Sequence, residues 1–207
     1  MQKLIFPMRT VNITQGFHEG HKAWDLAGED GGIDYWYAPC RIVVSAIYPY
    51  GKTGFYNTVI FTSCDVNGAP APVRFADGRE EIVSFSCTHM NGIDKFGLKV
   101  GRIYDSGEKC YCEGTTGKST GNHVHMGVSL GLQTSIIKYP EGAWYMPDVI
   151  NPDGLFFLLN DWNIPKNFNG YMFPETEERE ETNKKEEIIS RFEAAYRDLL
   201  ELVRSDG

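Results

Sequence analysis

Four stretches of the chain are rich in β-branched and aromatic residues: RIVVSAIY (41–48), YNTVIFTSC (56–64), EIVSFSCTHM (81–90) and HVHMGVSL (123–130). Gly, Pro, Asn and Asp separate them, the pattern of short strands joined by turns. Successive side chains of a strand point to opposite faces, so residues two apart share a face. In HVHMGVSL, Val124, Met126 and Val128 then form the packed side, and His123, His125 and Gly127 the other. The segment 66–81, with its prolines and the Asp77-Gly78 turn signal, reads as an inserted hairpin or surface loop. From about Glu177 the period changes. Ile189, Phe192, Tyr196, Leu199 and Val203 recur every three or four residues, one apolar stripe on a charged helix. The expectation is a mainly β body over 1–173, continuing past about residue 131 as an extension, and an acidic amphipathic helical tail over 174–207. The stripe must bury itself against the body or pair with a second copy of the chain, which would make a homo-oligomer.

Composition narrows the partners. The chain has 207 residues, 42% hydrophobic and 13% aromatic, enough for one ordinary core, and its 22 glycines and 10 prolines suit many turns. Formal net charge is −8, and residues 175–207 hold 11 acidic against 6 basic residues. No basic block is present to grip phosphates, which argues against a nucleic-acid partner. MQKLIFPMRT has neither a long apolar stretch nor a small-residue cleavage site, so no membrane span or export signal is expected and synthesis in the cytoplasm is. Five cysteines cannot all pair, and buried reduced thiols are expected at Cys40, Cys64, Cys87, Cys110 and Cys112.

The histidines carry the candidate chemistry. In ITQGFHEGHKAWDLAG (13–28), His21 and Asp25 are four apart, an even spacing that places both on one face of a strand. An imidazole and a carboxylate suit a borderline divalent ion such as zinc. One imidazole from the His123/His125 pair makes three protein ligands, the open arrangement of a catalytic site. A surface His–Asp pair is the blander reading of His21 and Asp25 taken alone. His18 is a rival ligand, but it lies three residues before His21 and misses the spacing.

Together these segments resemble the lysostaphin/LytM-type zinc metallopeptidases, which cut peptides of bacterial cell walls. ITQGF is similar to the family's opening strand and turn, and HKAWDLAG to its H-x-x-x-D motif. YAPCRIVVSA, CTHM and LKVGRIYDSGEKCYCEGTTGKSTGNHVHMGV follow in the family's order, covering about residues 12–130. The resemblance implies an antiparallel β-sheet body, duplicated-hybrid-motif-like, with the metal in a groove on the sheet. It implies that His21, Asp25 and His125 bind one Zn2+ per chain, and that His89 and His123 lie beside the metal and handle protons. Which of the two is base and which oxyanion donor stays open. The substrate implied is the peptide part of peptidoglycan. Absence of a visible export signal suggests a phage or prophage lysin, or a tail-associated enzyme that reaches the wall by lysis or injection. A chain whose signal has been lost is the other explanation. The alternatives are a non-catalytic binding or regulatory protein on the same fold and a phage structural protein. Departures include Val124 and Met126 where the family commonly has Leu and Phe, and the long 66–81 insertion. Tyr35, Trp36, Tyr37 and Tyr56 are candidates for the groove wall, with core packing the alternative for each.

Overall fold

The computed structural model describes residues 1–29, 32–51, 55–140, 143–159 and 161–167. The chain divides into two units, Met1–Pro174 and Glu175–Gly207. The helical tail expected over 174–207 lies outside the described residues. Among those residues the strands in chain order are β1 (Thr10–Gln15), β2 (Trp24–Leu26), β3 (Tyr35–Tyr37), β4 (Ile42–Tyr48), β5 (Thr58–Ser63), β6 (Val73–Arg74), β7 (Glu80–Glu81), β8 (Val83–Thr88), β9 (Ile103–Tyr104), β10 (Lys109–Cys112), β11 (Val124–Leu130), β12 (Ile137–Lys138), β13 (Trp144–Tyr145), β14 (Val149–Ile150) and β15 (Ile164–Asn167). The helical content described is a single 3-10 turn, Lys95–Gly97. The protein is mainly β, as its alternating segments predict. The main sheet runs β15-β1-β2-β11-β8-β5-β4-β9, with β14 also on β11. Its pairings are antiparallel except for β1 with β15, so the sheet is mixed. A parallel pair needs a long connection, and here nearly the whole body lies between its two strands.

Register gives the sheet two unlike faces. Met126 stands opposite Cys87 and Trp24, Val128 opposite Phe85, and Phe61 opposite Phe85 on the next strand. These side chains are fully buried, and Trp36 stacks on Phe61 from the adjoining β3–β10 ribbon with centroids 5.4 Å apart. Phe6, Trp24 and Phe156 close the same core, so the segment after residue 131 is built into it. A fully buried aromatic or aliphatic side chain contributes about 1.5–3 kcal/mol through removal from water. The other face carries His125, Gly127 and Ser129 opposite Thr88, Ser86 and Ser84. Buried hydroxyls need partners, and they find one another: Ser45 with Thr62 at 2.6 Å, Thr62 with Ser84 at 2.8 Å, Thr58 with Thr88 at 3.0 Å.

The 66–81 insertion forms the β6–β7 hairpin, with Gly78 in the left-handed region at φ 91°. It is more than a surface loop. Val73 and Phe75 are fully buried, and the Arg74 amide donates to the Gln2 carbonyl. The five thiols are all buried, and burial raises their pKa values. Among the described residues no helix is long and apolar enough to cross a membrane.

Candidate active site

Asp25 and His125 meet because β2 and β11 are paired in that register, residue opposite residue. Side chains directly opposite on antiparallel strands are near neighbours. His125 Nδ1 is 2.9 Å from Asp25 Oδ1. His21 arrives differently from the expected single strand. It sits one turn ahead of β2, in a tight reversal where His18 and His21 exchange backbone hydrogen bonds. Its Nε2 lies 3.2 Å from Asp25 Oδ1 and 3.2 Å from His125 Nδ1. His18 is exposed, faces Gln15, and is not part of this cluster.

Four donors at about 2.0–2.2 Å around a tetrahedral zinc are about 3.3–3.6 Å from one another. The three separations here, 2.9, 3.2 and 3.2 Å, are a few tenths of an ångström under that spacing, so a small outward movement of the three donors would admit the ion. The proton arrangement also fits a cation. His21 Nδ1 is 3.0 Å from the Gly16 carbonyl, which can only accept, so Nδ1 carries the hydrogen. In neutral His21 the Nε2 lone pair then points at a carboxylate and at a second imidazole. That convergence is repulsive unless a proton or a metal ion lies within it. The titration behaviour follows. Burial disfavours charge on His21, but the hydrogen bond and charge of Asp25 prevail and raise its pKa. Burial opposes ionisation of Asp25 too, yet His125 and His21 hold its carboxyl well below the usual range. Burial lowers the pKa of His125 against the pull of Asp25.

His89 and His123 stand beside this triangle, their ring centroids 4.6 Å apart, with His89 5.9 Å from His125. His89 follows the last residue of β8 and has φ 89°, a region that non-glycine residues rarely occupy. That reversal turns its ring into the site. His123 precedes β11 and exchanges backbone hydrogen bonds with Gly114. A Cβ on Gly114 would lie 2.2 Å from the His89 carbonyl oxygen, so only glycine lets the two histidine-bearing segments come this close. Both imidazoles are oriented alike. His89 Nδ1 is 2.8 Å from the Thr116 carbonyl and His123 Nδ1 2.9 Å from the Gly121 carbonyl. Each therefore donates through Nδ1 and leaves Nε2 unprotonated when neutral; His123 Nε2 is 3.7 Å from Asp25 Oδ1. Burial, with His123 and His125 nearby, lowers the His89 pKa to about 4 although the Thr116 carbonyl favours its charged form.

Three further residues belong to the site. Tyr56 stacks on His89 at 5.8 Å and 18°, whereas Trp36 is core, Tyr37 packs on Trp162 and Tyr35 lies under Lys109. Tyr145 stacks on His125 at 6.0 Å and 23°, and its hydroxyl accepts the Lys22 amide at 3.1 Å. Buried Glu113 accepts the Gly28 and Asp34 amides, both at 2.7 Å, and anchors the loop after β2. Burial raises its pKa against those two hydrogen bonds. Neither Tyr145 nor Glu113 has a sequence signal beyond its type. A lone glutamate among the apolar residues of KCYCEG is the one hint that Glu113 is buried and paired.

The fold and site are those of a β-sheet protein with a histidine–carboxylate cluster. Solved structures similar to this chain include a zinc-containing peptidase from Vibrio cholerae (TM-score 0.39, 21% identity, 57% of this chain and 33% of that one). Csd3 of Helicobacter pylori is another (0.40, 22%, 62% and 30%). So is the catalytic domain of the antimicrobial peptidase lysostaphin from Staphylococcus simulans (0.37, 18%, 73% and 86%). A curated relative, Morphogenesis protein 1 of Bacillus phage B103, is 28% identical over 144 residues, 67% of this chain. The chain spans about a third of that relative's length, 35%. No family model matches.

Proposed function

We propose that the protein is a zinc-dependent endopeptidase acting on the peptide cross-links or stems of bacterial peptidoglycan. The observation that carries this is the triangle of His21 Nε2, Asp25 Oδ1 and His125 Nδ1 beside two imidazoles with identically fixed tautomers. His21, Asp25 and His125 would hold one zinc ion, which when bound lowers the pKa of a coordinated water towards about 7 and polarises a carbonyl oxygen. His89 and His123 do the proton work. With Nδ1 committed to a backbone carbonyl, each offers Nε2 to the reacting groups. One of the two takes a proton from the attacking water and returns it to the leaving amine as the C–N bond breaks; the other, in its protonated form, donates a hydrogen bond to the carbonyl oxygen as charge builds there. General acid–base help of this kind is worth about 10²–10⁴-fold. Backbone carbonyls hold both rings, and Tyr56 stacked on His89 keeps that ring from turning away.

The likeness to a phage morphogenesis protein supports a phage origin and delivery to the wall by lysis or with the particle. It also favours a second reading, a particle component without catalysis. Metal analysis and zymography separate the two. We expect about one zinc per chain and clearing of whole cell walls that a chelator abolishes and zinc restores. A carefully purified chain without zinc, or zinc without clearing on walls of any cross-link type, overturns the enzyme reading.

A further inference from the structure

The two tyrosines that cover the site histidines each follow another aromatic residue, and those two aromatic residues touch. Tyr56 lies flat on His89 and Tyr145 flat on His125. Phe55 and Trp144, one residue before each, meet edge to face with centroids 5.6 Å apart and planes at 78°. The segments come from distant parts of the chain, the loop between β4 and β5 and the hairpin strand β13. A second tie joins the same regions: the Tyr48 hydroxyl donates to the Thr134 carbonyl at 2.8 Å, and Tyr48 packs on Phe55.

We propose that Phe55-Tyr56 and Trp144-Tyr145 form an aromatic clasp whose outer contact fixes the two inner rings, so that these four are positioning residues for His89 and His125. The inference rests on the peptidase reading for what the histidines do, but not for how they are held. Simple core packing does not explain the arrangement, since Trp144 is 53% exposed. An edge-to-face pair is worth about 0.5–1.5 kcal/mol beyond its burial. Here that contact joins the β4–β5 loop to strand β13 at the point where each lays a ring on the site. Tyr56 is held from three sides. Its carbonyl accepts the His89 amide at 2.9 Å, a Cβ on Gly117 would strike its ring, and its neighbour Asn57, at φ 56°, donates from its side chain to the Met90 carbonyl. Tyr145 touches both ends of the triangle, stacking on His125 and accepting the amide of Lys22, next to His21. Positioning of this kind matters because a displacement of about 1 Å can reduce turnover about 10²-fold.

The test is a set of variants of the full chain read in two ways. First, ring nitrogen correlations are recorded on ¹⁵N-histidine protein without metal. Trp144→Ala, which touches no site histidine, should shift or broaden the His89 and His125 signals and leave His18 unchanged; Trp144→Phe should restore them. Second, zinc affinity is measured by competition with a chromophoric chelator, and kcat and KM on soluble wall fragments. Tyr145→Leu should weaken zinc binding about 10–100-fold, the range for groups that orient metal ligands, and Tyr145→Phe should recover most of it. Tyr56→Leu should keep zinc affinity and lower kcat about tenfold or more at unchanged KM. Folded Trp144→Ala with unaltered His89 and His125 signals overturns the clasp. If the wild-type chain binds no zinc while Trp144→Ala still disturbs those two rings, the clasp stands and the peptidase reading falls.

Discussion

Two kinds of backbone build the site. Asp25 and His125 stand opposite each other on paired strands, and register alone brings them to 2.9 Å. His89, Tyr56 and Tyr145 stand where strands end or loops turn, and their placement depends on contacts between segments far apart in sequence. A strand pair cannot slip by one residue without sending every side chain to the other face, here a face packed with Trp24, Met126 and Phe85. Two of the proposed ligands, Asp25 and His125, are therefore held by the fold itself, while His21 reaches them from the reversal ahead of β2. The proposed proton-handling groups are held by carbonyls, a close-packed glycine and, for His89, a stacked ring. The difference would suit the proposed work, since a metal site needs fixed donors whereas acid–base groups must meet a substrate that comes and goes.

Removing a strand-borne donor is the strongest way to break that comparison. His125→Ala should lose zinc and wall clearing together, because His21 and Asp25 alone cannot hold the ion in a usable form; metal analysis of the purified variant checks the first and zymography the second. Zinc retained at full stoichiometry by that variant would show that a different residue is the third ligand. His123→Ala and His89→Ala should keep about one zinc and lose about 10²–10⁴-fold in turnover. A variant of either that also drops the metal would move that histidine to the ligand side.

What could be read from the sequence follows the same division. The alternation in HVHMGVSL placed His123 and His125 on one face with Val124, Met126 and Val128 on the other, and those three are fully buried. The segments around β4, β5, β8 and β11 were legible because their periodicity is local. His21 with Asp25 was legible as a pair but not as a geometry: His21 lies in a reversal ahead of β2, where spacing rules for a strand do not apply. Tyr145 and Glu113 could not be found. Their roles arise from pairings across 123 and 85 residues of sequence, which no local period records. Tyr56 was one of four aromatic candidates, and only tertiary packing separates it from Trp36.

A smaller effect sharpens the contrast at the junction of the two backbones. Gly114→Ala would place a Cβ 2.2 Å from the His89 carbonyl oxygen and 2.7 Å from the Asn91 amide, both backbone atoms that cannot rotate aside. Forced overpacking costs about 1–3 kcal/mol, and the shift should push His89 and His123 apart. Thermal unfolding should therefore show a lower Tm, and turnover should fall more than zinc affinity. Gly121→Ala is the control, since its added Cβ would meet nothing within 4 Å. Equal losses in the two variants would mean that the close approach at Gly114 has no special weight.

The smallest effect concerns protons on the turn-borne side, and its sign follows from His89. Folding lowers the pKa of this imidazole from 6.5 to about 4, burial being the main cause. Between those values the unfolded chain binds a proton that the folded chain does not, so stability rises with pH across the window. The contribution is present above about pH 6.5 and lost as pH falls towards 4. Allowing for solvent screening, it amounts to about 1–2 kcal/mol. Denaturant unfolding at pH 7 and pH 4.5, with chelator present so that no ion is bound, should show this as a difference between chains. Wild type should lose more stability over that interval than His89→Gln, whose side chain cannot titrate. The acid loss common to both over this interval includes that of His125, whose pKa burial also lowers, whereas Asp25, its carboxyl depressed, adds its loss only below about pH 3.8. Were the two chains to lose stability in parallel, His89 would be free to take up a proton in place, and the strained turn that carries it would not be holding a neutral ring against the site.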